Sequence, residues 1–321
     1  MTKLKTLFVS AISTALTVSL GATASMAADG ASPLSGLPGG AGNPVVMVKI
    51  DNVRPARPHV NISKADLVYV EQVEGGLTRI AALYNSNFPT KVGPVRSARI
   101  SDLEILKQFD KPGFAYSGAN KALLPKIAKE PLVRFGPSLN GARYSRDSSK
   151  RIPHNLILNL SATVKAAKSK LGAAKDIGLV FSETAPTGGK ATSTFKASWP
   201  ASSVSGKWNG DGWAIALDNS PQKDRATGNA VVAKTVVVQL VTQTVSGYGD
   251  KFGGKTPLVK TVGSGKAFIL RDGQRFEGEW SRPSGGAGTT YTVNGAQMPF
   301  DVGQVWVLLV PNDSKGKYSF K

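Results

Sequence analysis

The 321-residue sequence contains no cysteine and only two histidines, His59 and His154. The missing cysteine excludes disulfides, thiolate zinc sites, cysteine nucleophiles and attachment of a lipid to an N-terminal cysteine. Two histidines argue against a multi-histidine metal centre within one chain. Acids are also scarce, with 21 Asp and Glu against 40 Lys and Arg. After residue 27 no stretch approaches the ~18 consecutive apolar residues of a membrane span. No G-x-S-x-G, Walker A or H-E-x-x-H motif occurs, so common nucleophile, nucleotide and zinc-protease signatures are absent. A hydrophobic fraction of 41% is nevertheless ordinary for a globular chain. The length predicts about two domains.

The first residues read as an address. Lys3 and Lys5 precede an apolar run from Leu7 to Leu20, and Ser25-Met26-Ala27 supplies small residues at the cleavage-defining positions. This pattern predicts a signal peptide over residues 1–27. The apolar run is short and rich in Ser and Thr, which disfavours the alternative of an uncleaved anchor. The formal charge of +19 falls to +17 once residues 1–27 are removed. In a cytosolic protein that excess would suggest nucleic acid. Export redirects it toward an anionic cell-envelope polymer or a lipid-linked phosphate, with no nucleic acid and no stable membrane span. The predicted location is extracytoplasmic, secreted or wall-associated. The alternative is that the charge only keeps the protein soluble.

Residues 28–43 are rich in Gly, Pro and Ser and predict a flexible tether. From Val45 the chain becomes strand-like. Leu67–Glu74 and Leu77–Tyr84 flank Gly75-Gly76, a hairpin signal because glycine tolerates positive φ at both turn positions. Val92–Val95 is a further candidate strand. Ser101-x-x-Glu104 has the form of a capping box. Residues 119–129 and 161–171 carry helical patterns, the first interrupted at Pro125. Beyond Ile177 strand signals dominate, separated by turns such as Asp272-Gly273 and Asn294-Gly295. The expected fold class is α+β, a mixed α/β domain over 44–175 with a small sheet and helices, then a β-rich domain over 176–321.

Arginine is distributed unevenly. Residues 28–160 hold nine Arg and nine Lys, whereas residues 161–321 hold four Arg and sixteen Lys. Guanidinium offers a planar fork for carboxylate or phosphate, while lysine is the usual solvated surface cation. A discrete site is therefore expected in the first half. Its candidates are Asp51, Arg54 and Arg57; Glu74 and Arg79; Arg96 and Arg99; and Arg146, Asp147, Arg151, His154 and Asn155. All stand at strand ends or in Gly/Pro loops, from which side chains of separate segments can converge. A two-residue turn would set Gln72 opposite Arg79 and make Glu74 and Arg79 diagonal neighbours, a plain cross-strand ion pair or part of a site. Arg96 and Arg99 precede a helix, where anions are favoured; the alternative is pairing with Asp102 or Glu104. His154 could act as acid, base, ligand or structural hydrogen-bonder. Asp51 and Asp147 could hold a divalent cation such as Mg²⁺. Five tryptophans in the second half, Trp199, Trp208, Trp213, Trp280 and Trp306, suit core packing or sugar stacking.

Several phrases carry a resemblance. VMVKIDNVRPARP, ADLVYVEQVEGGLTRIAALY, VGPVRSARISD, the Arg146-Asp147 pair and IPHN resemble the N-terminal domain of the YerB-like envelope lipoproteins, domain of unknown function 3048. VGSGKAFILRDG, EGEW and GQVWVLLVP resemble the C-terminal domain of the same family. The resemblance covers nearly all the chain after residue 27 and implies an extracytoplasmic bacterial protein of two domains. Many members are lipoproteins; without cysteine, this chain departs from that pattern. A slighter likeness, in the order strand, hairpin, arginine-bearing turn and helix, is to the LytR-CpsA-Psr phosphotransferases. It implies polyprenyl-pyrophosphate ligands and a divalent metal, with Arg96 and Arg99 matching the arginine turn beside Arg79, Arg146 and Asp147. Together these features predict an exported envelope protein that binds an anionic ligand, with metal-assisted phosphoryl transfer as the reaction class should it be an enzyme. The alternatives are a non-catalytic envelope scaffold and a carbohydrate-binding module.

Overall fold

Strand β1 (Val46–Ile50) is buried at every position, as expected of an apolar run in a sheet covered on both faces. It pairs antiparallel with β3 (Thr78–Tyr84), which pairs with β2 (Leu67–Gln72), and parallel with β4 (Gly113–Ala115). β4 in turn pairs with β5 (Val133–Phe135). These observations come from a computed structural model that describes residues 30–250 and 253–321. The expected signal peptide lies outside the described residues.

The five strands do not form a small sheet of their own. β2 pairs in parallel with Val305–Pro311, with Leu67 opposite Val305 and Val70 opposite Leu308. Val305–Pro311 also pairs in parallel with Thr235–Val241, and the sheet continues through Gly263–Arg271 and Gln274–Arg282. One twelve-stranded sheet therefore runs through both halves of the sequence. The chain is mostly β, with 41% of residues in strands and 14% helical. The return of residues 305–311 explains why the halves share a sheet: a seven-residue run buried throughout needs neighbours on both sides.

Each face of this sheet carries its own core. Val48, Ile50, Val68, Val70, Ile80, Ala82, Trp306 and Leu308 pack toward a second, six-stranded sheet that contains Phe195, Trp199, Trp213 and Ile215. Met47, Leu67, Tyr69, Ala81, Leu83, Val307 and Leu309 face helix α1 (Ile100–Leu106) through Leu103 and Leu106. Helix α2 (Leu124–Lys129) buries Ile127 on the same side and holds Pro125 in its first turn rather than breaking there.

Several local expectations change. Where composition predicts a tether, residues 30–43 are packed chain: Ser32, Leu34 and Ser35 are fully buried, and the Ser35 hydroxyl donates to Asp66 at 2.5 Å. The Gly/Pro content there serves tight turns against the sheet. The β2–β3 connection is wider than two residues, because Glu74 joins Gly75 and Gly76 in a short turn and the Val73 N–H donates to the Leu77 carbonyl at 2.8 Å. The register consequently shifts by one, and Glu71, not Gln72, stands opposite Arg79. Helix α1 starts one residue before Ser101; the Arg99 N–H donates to Asp102 Oδ2 at 2.6 Å. Ser101 instead accepts from the Val259 N–H at 3.0 Å. The helix predicted at 161–171 begins at Leu160, capped by Asn159, which accepts from the Ala162 N–H at 3.0 Å. Val92–Val95 makes only isolated bridges.

Candidate functional site

At the end of β1 the chain presents Asp51, which is 2% exposed. Its N–H donates to the Pro94 carbonyl at 3.0 Å, and its carbonyl accepts from His59 Nε2 at 2.7 Å. Burial first, and then the nearby Arg57 and Lys150 charges, push the His59 pKa down to about 4. His59 is therefore neutral at neutral pH and, as an Nε2–H donor, fixes the Asp51 backbone. The Asp51 side chain converges two groups from distant segments on one oxygen. Oδ2 lies 2.7 Å from His154 Nδ1 and 3.1 Å from Arg96 Nε.

Arg96 is positioned by the bridge between Val95 and Ile50 and by its N–H, which donates to the Lys49 carbonyl at 2.7 Å. Three residues later Arg99 turns into α1. Its Nε and Nη2 both donate to Glu74 Oε2, at 2.9 and 2.7 Å, and Nη1 donates to the Ser97 and Ala98 carbonyls. Glu74 also accepts from the Thr256 hydroxyl. Burial opposes ionisation of Glu74, but Arg99 and Thr256 outweigh it and hold its carboxyl below the usual range. The expected Glu74–Arg79 pair is thus replaced by Glu74–Arg99, a consequence of the one-residue shift in register.

Arg79 is left in an unusual position. Its one hydrogen bond runs from Nη1 to the Ser97 carbonyl at 2.9 Å, and among the described residues no carboxylate forms an ion pair with it. Burial, followed by the charges of Arg99 and Arg96, pulls its pKa down to about 10, against the opposing pull of Asp51 and Glu74. Arg79 is thus a guanidinium disfavoured first by its burial and then by two neighbouring cations.

Beneath α1, on the same sheet face as Arg79, lies a group that sequence reasoning passed over. Lys49, Glu71 and Asp102 are all fully buried. Lys49 Nζ pairs with Glu71 Oε1, and with Asp102 Oδ1 at 2.8 Å. Burial, and secondarily Asp102, push the Glu71 pKa up to about 7 despite Lys49. The available signal was Lys49 itself, a charge inside the apolar run of residues 45–50.

The remaining candidates separate from the rim. Arg57 pairs with Asp218 at 2.8 Å and donates to Asn52 and to the Leu217 carbonyl, tying the first half to the second. Arg146 donates to Asn155 at 2.7 Å, and buried Asn155 donates to the Asp147 and Lys150 carbonyls, so it holds the loop preceding His154. Asp147 pairs with Arg225. Arg146, Asp147 and Arg225, with Lys91 and Asn61, line a cavity of about 640 Å³ between loops of the two halves. Arg54 and Arg151 are exposed and form no ion pair among the described residues. Asp51 and Asp147, considered above as joint ligands of a divalent cation, are each engaged by different cations. Among the described residues no group of three or more His, Cys, Asp or Glu is arranged to hold a metal ion. Of the five tryptophans, Trp199, Trp213, Trp280 and Trp306 are buried, and Trp208 leans on Trp213 at 5.5 Å between ring centroids. Four of the five tryptophans thus serve core packing, and Trp208 stays partly exposed.

Comparison with known proteins agrees with the residue-level resemblance. The chain belongs to the DUF3048 family. Residues 34–174 match the domain described as "Protein of unknown function (DUF3048) N-terminal domain", and residues 195–307 match the C-terminal domain. It is 25% identical over 278 residues to YerB of Bacillus subtilis (strain 168), a candidate lipoprotein by name, covering 83% of this chain and 81% of that protein. The crystal structure of Bacillus subtilis YerB superposes with a TM-score of 0.76 at 23% identity, covering 90% of this chain and 99% of the other. The two share a fold. Among the described residues, no helix is long and apolar enough to cross a membrane.

Proposed function

We propose that this chain is an exported cell-envelope protein that binds an anionic ligand, bearing phosphate or carboxylate, at the rim formed by Arg79 and Arg96 and bounded by His154. Arg79 carries the reading: a partly buried guanidinium with one backbone partner, next to Arg96 and Arg99, lacks the anion that would balance it. The overall excess of cations and the lipoprotein name of the Bacillus subtilis relative support reading the anion as an envelope polymer or a lipid-linked phosphate. Arg99 and Arg57 belong to the fold rather than to the ligand, because their forks are already filled by Glu74 and by Asp218 and Asn52. Those filled forks favour a scaffold role for part of the arginine set. In that second reading Arg79 would be structural as well.

Melting temperature with geranyl pyrophosphate, with and without Mg²⁺, tests this. A ligand binding only the folded state at 100 times its dissociation constant adds about 2.7 kcal/mol. The expected result is a clear upward shift that Arg79→Gln and Arg96→Gln abolish. Absence of a shift at millimolar ligand, whatever the metal, would leave the scaffold reading standing.

A further inference from the structure

Asp51 and His154 have the arrangement of a carboxylate-oriented general base, and we infer that they form the proton-transfer element of this rim, acting on a phosphoric anhydride. The inference rests on the anion-binding reading above and adds chemistry to it. Three observations support it. First, the buried Asp51 carboxylate accepts from His154 Nδ1 at 2.7 Å, which selects the tautomer whose lone pair lies on Nε2. Second, among the described residues Nε2 makes no hydrogen bond, and the side chain is 21% exposed. Third, both partners are held before any ligand arrives. His59 and Pro94 fix the Asp51 backbone, Arg96 shares its carboxylate oxygen, and the His154 N–H donates to the Arg151 carbonyl at 2.9 Å, within a loop tied down by Asn155. A purely structural histidine would not need its orienting carboxylate fixed from three directions, nor would it leave its outer nitrogen unused.

The step is hydrolysis of a pyrophosphate ester. A water molecule gives one proton to His154 Nε2 as its oxygen forms a bond to the terminal phosphorus. The bond from that phosphorus to the bridging oxygen breaks, and the electron pair leaves on the bridging oxygen of the departing phosphate monoester. Inorganic phosphate is the second product, and the proton on His154 returns to solvent. Asp51 stabilises the imidazolium while it exists, and Arg79 and Arg96 face the charge that builds up on phosphate oxygens. Asp51 is here a positioning residue, and His154 the group that touches the reacting water.

The test uses the full protein and geranyl pyrophosphate with Mg²⁺, measuring release of inorganic phosphate alongside the ligand-induced melting shift. Wild type is expected to show both. His154→Gln, at a partly exposed position, should keep the melting shift and a KM within about twofold but lose at least ~100-fold in kcat, with added imidazole restoring part of the rate. Asp51→Asn should lose a comparable factor in kcat, judged only if its unliganded melting temperature shows that it folds. A wild type that binds but releases no phosphate overturns the dyad and leaves anion binding intact. His154→Gln turning over at the wild-type rate also overturns it. Neither shift nor release removes both readings together.

Discussion

Two sets of charges sit on one face of the same sheet and behave in opposite ways. Lys49, Glu71 and Asp102, the last on α1, are fully buried, and Lys49 pairs with both carboxylates. Arg79, Arg96 and Arg99 stand next to them at the rim, where Glu74 satisfies Arg99, Asp51 is shared between Arg96 and His154, and among the described residues no carboxylate pairs with Arg79. The comparison separates charge used to build a fold from charge left over. In the first set, removing any member strands a partner in a medium that cannot solvate it. In the second, Arg79 is disfavoured by burial and by its neighbouring cations, and in the proposed function an arriving anion relieves this. Arginine count alone would not have distinguished them.

The sharpest way to break this comparison is at Lys49. Lys49→Met leaves two carboxylates under α1 without their cation and should cost about 3–5 kcal/mol, measured by urea denaturation. Arg79→Gln should change stability by less than about 1 kcal/mol in either direction while removing the ligand-induced shift. If Arg79→Gln proves as destabilising as Lys49→Met, the rim is structural and the contrast disappears.

pH offers an intermediate effect. His59 has a folded pKa near 4, below the ordinary 6.5, so between those values the unfolded chain binds the extra proton. Its contribution is present above pH 6.5 and lost as pH falls toward 4, a change on the order of 3 kcal/mol. Glu71 runs the other way. Its folded pKa near 7 exceeds the ordinary 4.5, so its contribution is present at pH 4.5 and lost as pH rises to 7. Between pH 4.5 and 6.5 the two slopes oppose each other. His59→Gln should therefore expose stability that falls as pH rises through this window. Glu71→Gln should expose stability that rises with pH there. Urea midpoints at half-unit intervals would show either slope, and unchanged profiles in both variants would refute the burial argument.

The smallest effect belongs to a surface pair. Lys107 and Glu104, one turn apart on exposed faces at 2.9 Å, should contribute no more than about 0.5 kcal/mol. Lys107→Ala provides the baseline against which Lys49 is judged.

Much of this was legible in the residue pattern. Apolar runs located β1, β2 and β3, and the Asp272-Gly273 and Asn294-Gly295 turns appear with positive φ at both positions. Segments 51–59, 74–79, 96–99 and 146–155 were expected to converge. Asp51, Glu74, Arg79, Arg96, Arg99 and His154 do so, whereas Arg54, Arg57, Arg146, Asp147, Arg151 and Asn155 have other partners or none among the described residues. The pairing within the set was not legible, because adding Glu74 to the Gly75-Gly76 turn shifts every cross-strand partner by one. The Lys49–Glu71–Asp102 group was not legible either, because its three members are far apart in sequence.

Strand identity, helix-forming segments and the excess of cations follow from local chemistry, since periodicity, turn residues and composition act over a few positions. Three features required the folded chain. The shared sheet depends on Val305–Pro311 finding β2 more than 230 residues away, and a fully buried strand carries no mark of which neighbour it will take. The packing of residues 30–43 depends on a buried surface that exists only once Asp66 and Asn85 are in place. Whether an arginine is spent on the fold or left for a ligand depends on distances of a few ångströms between segments far apart in the chain, because electrostatic compensation is decided by who is near in space.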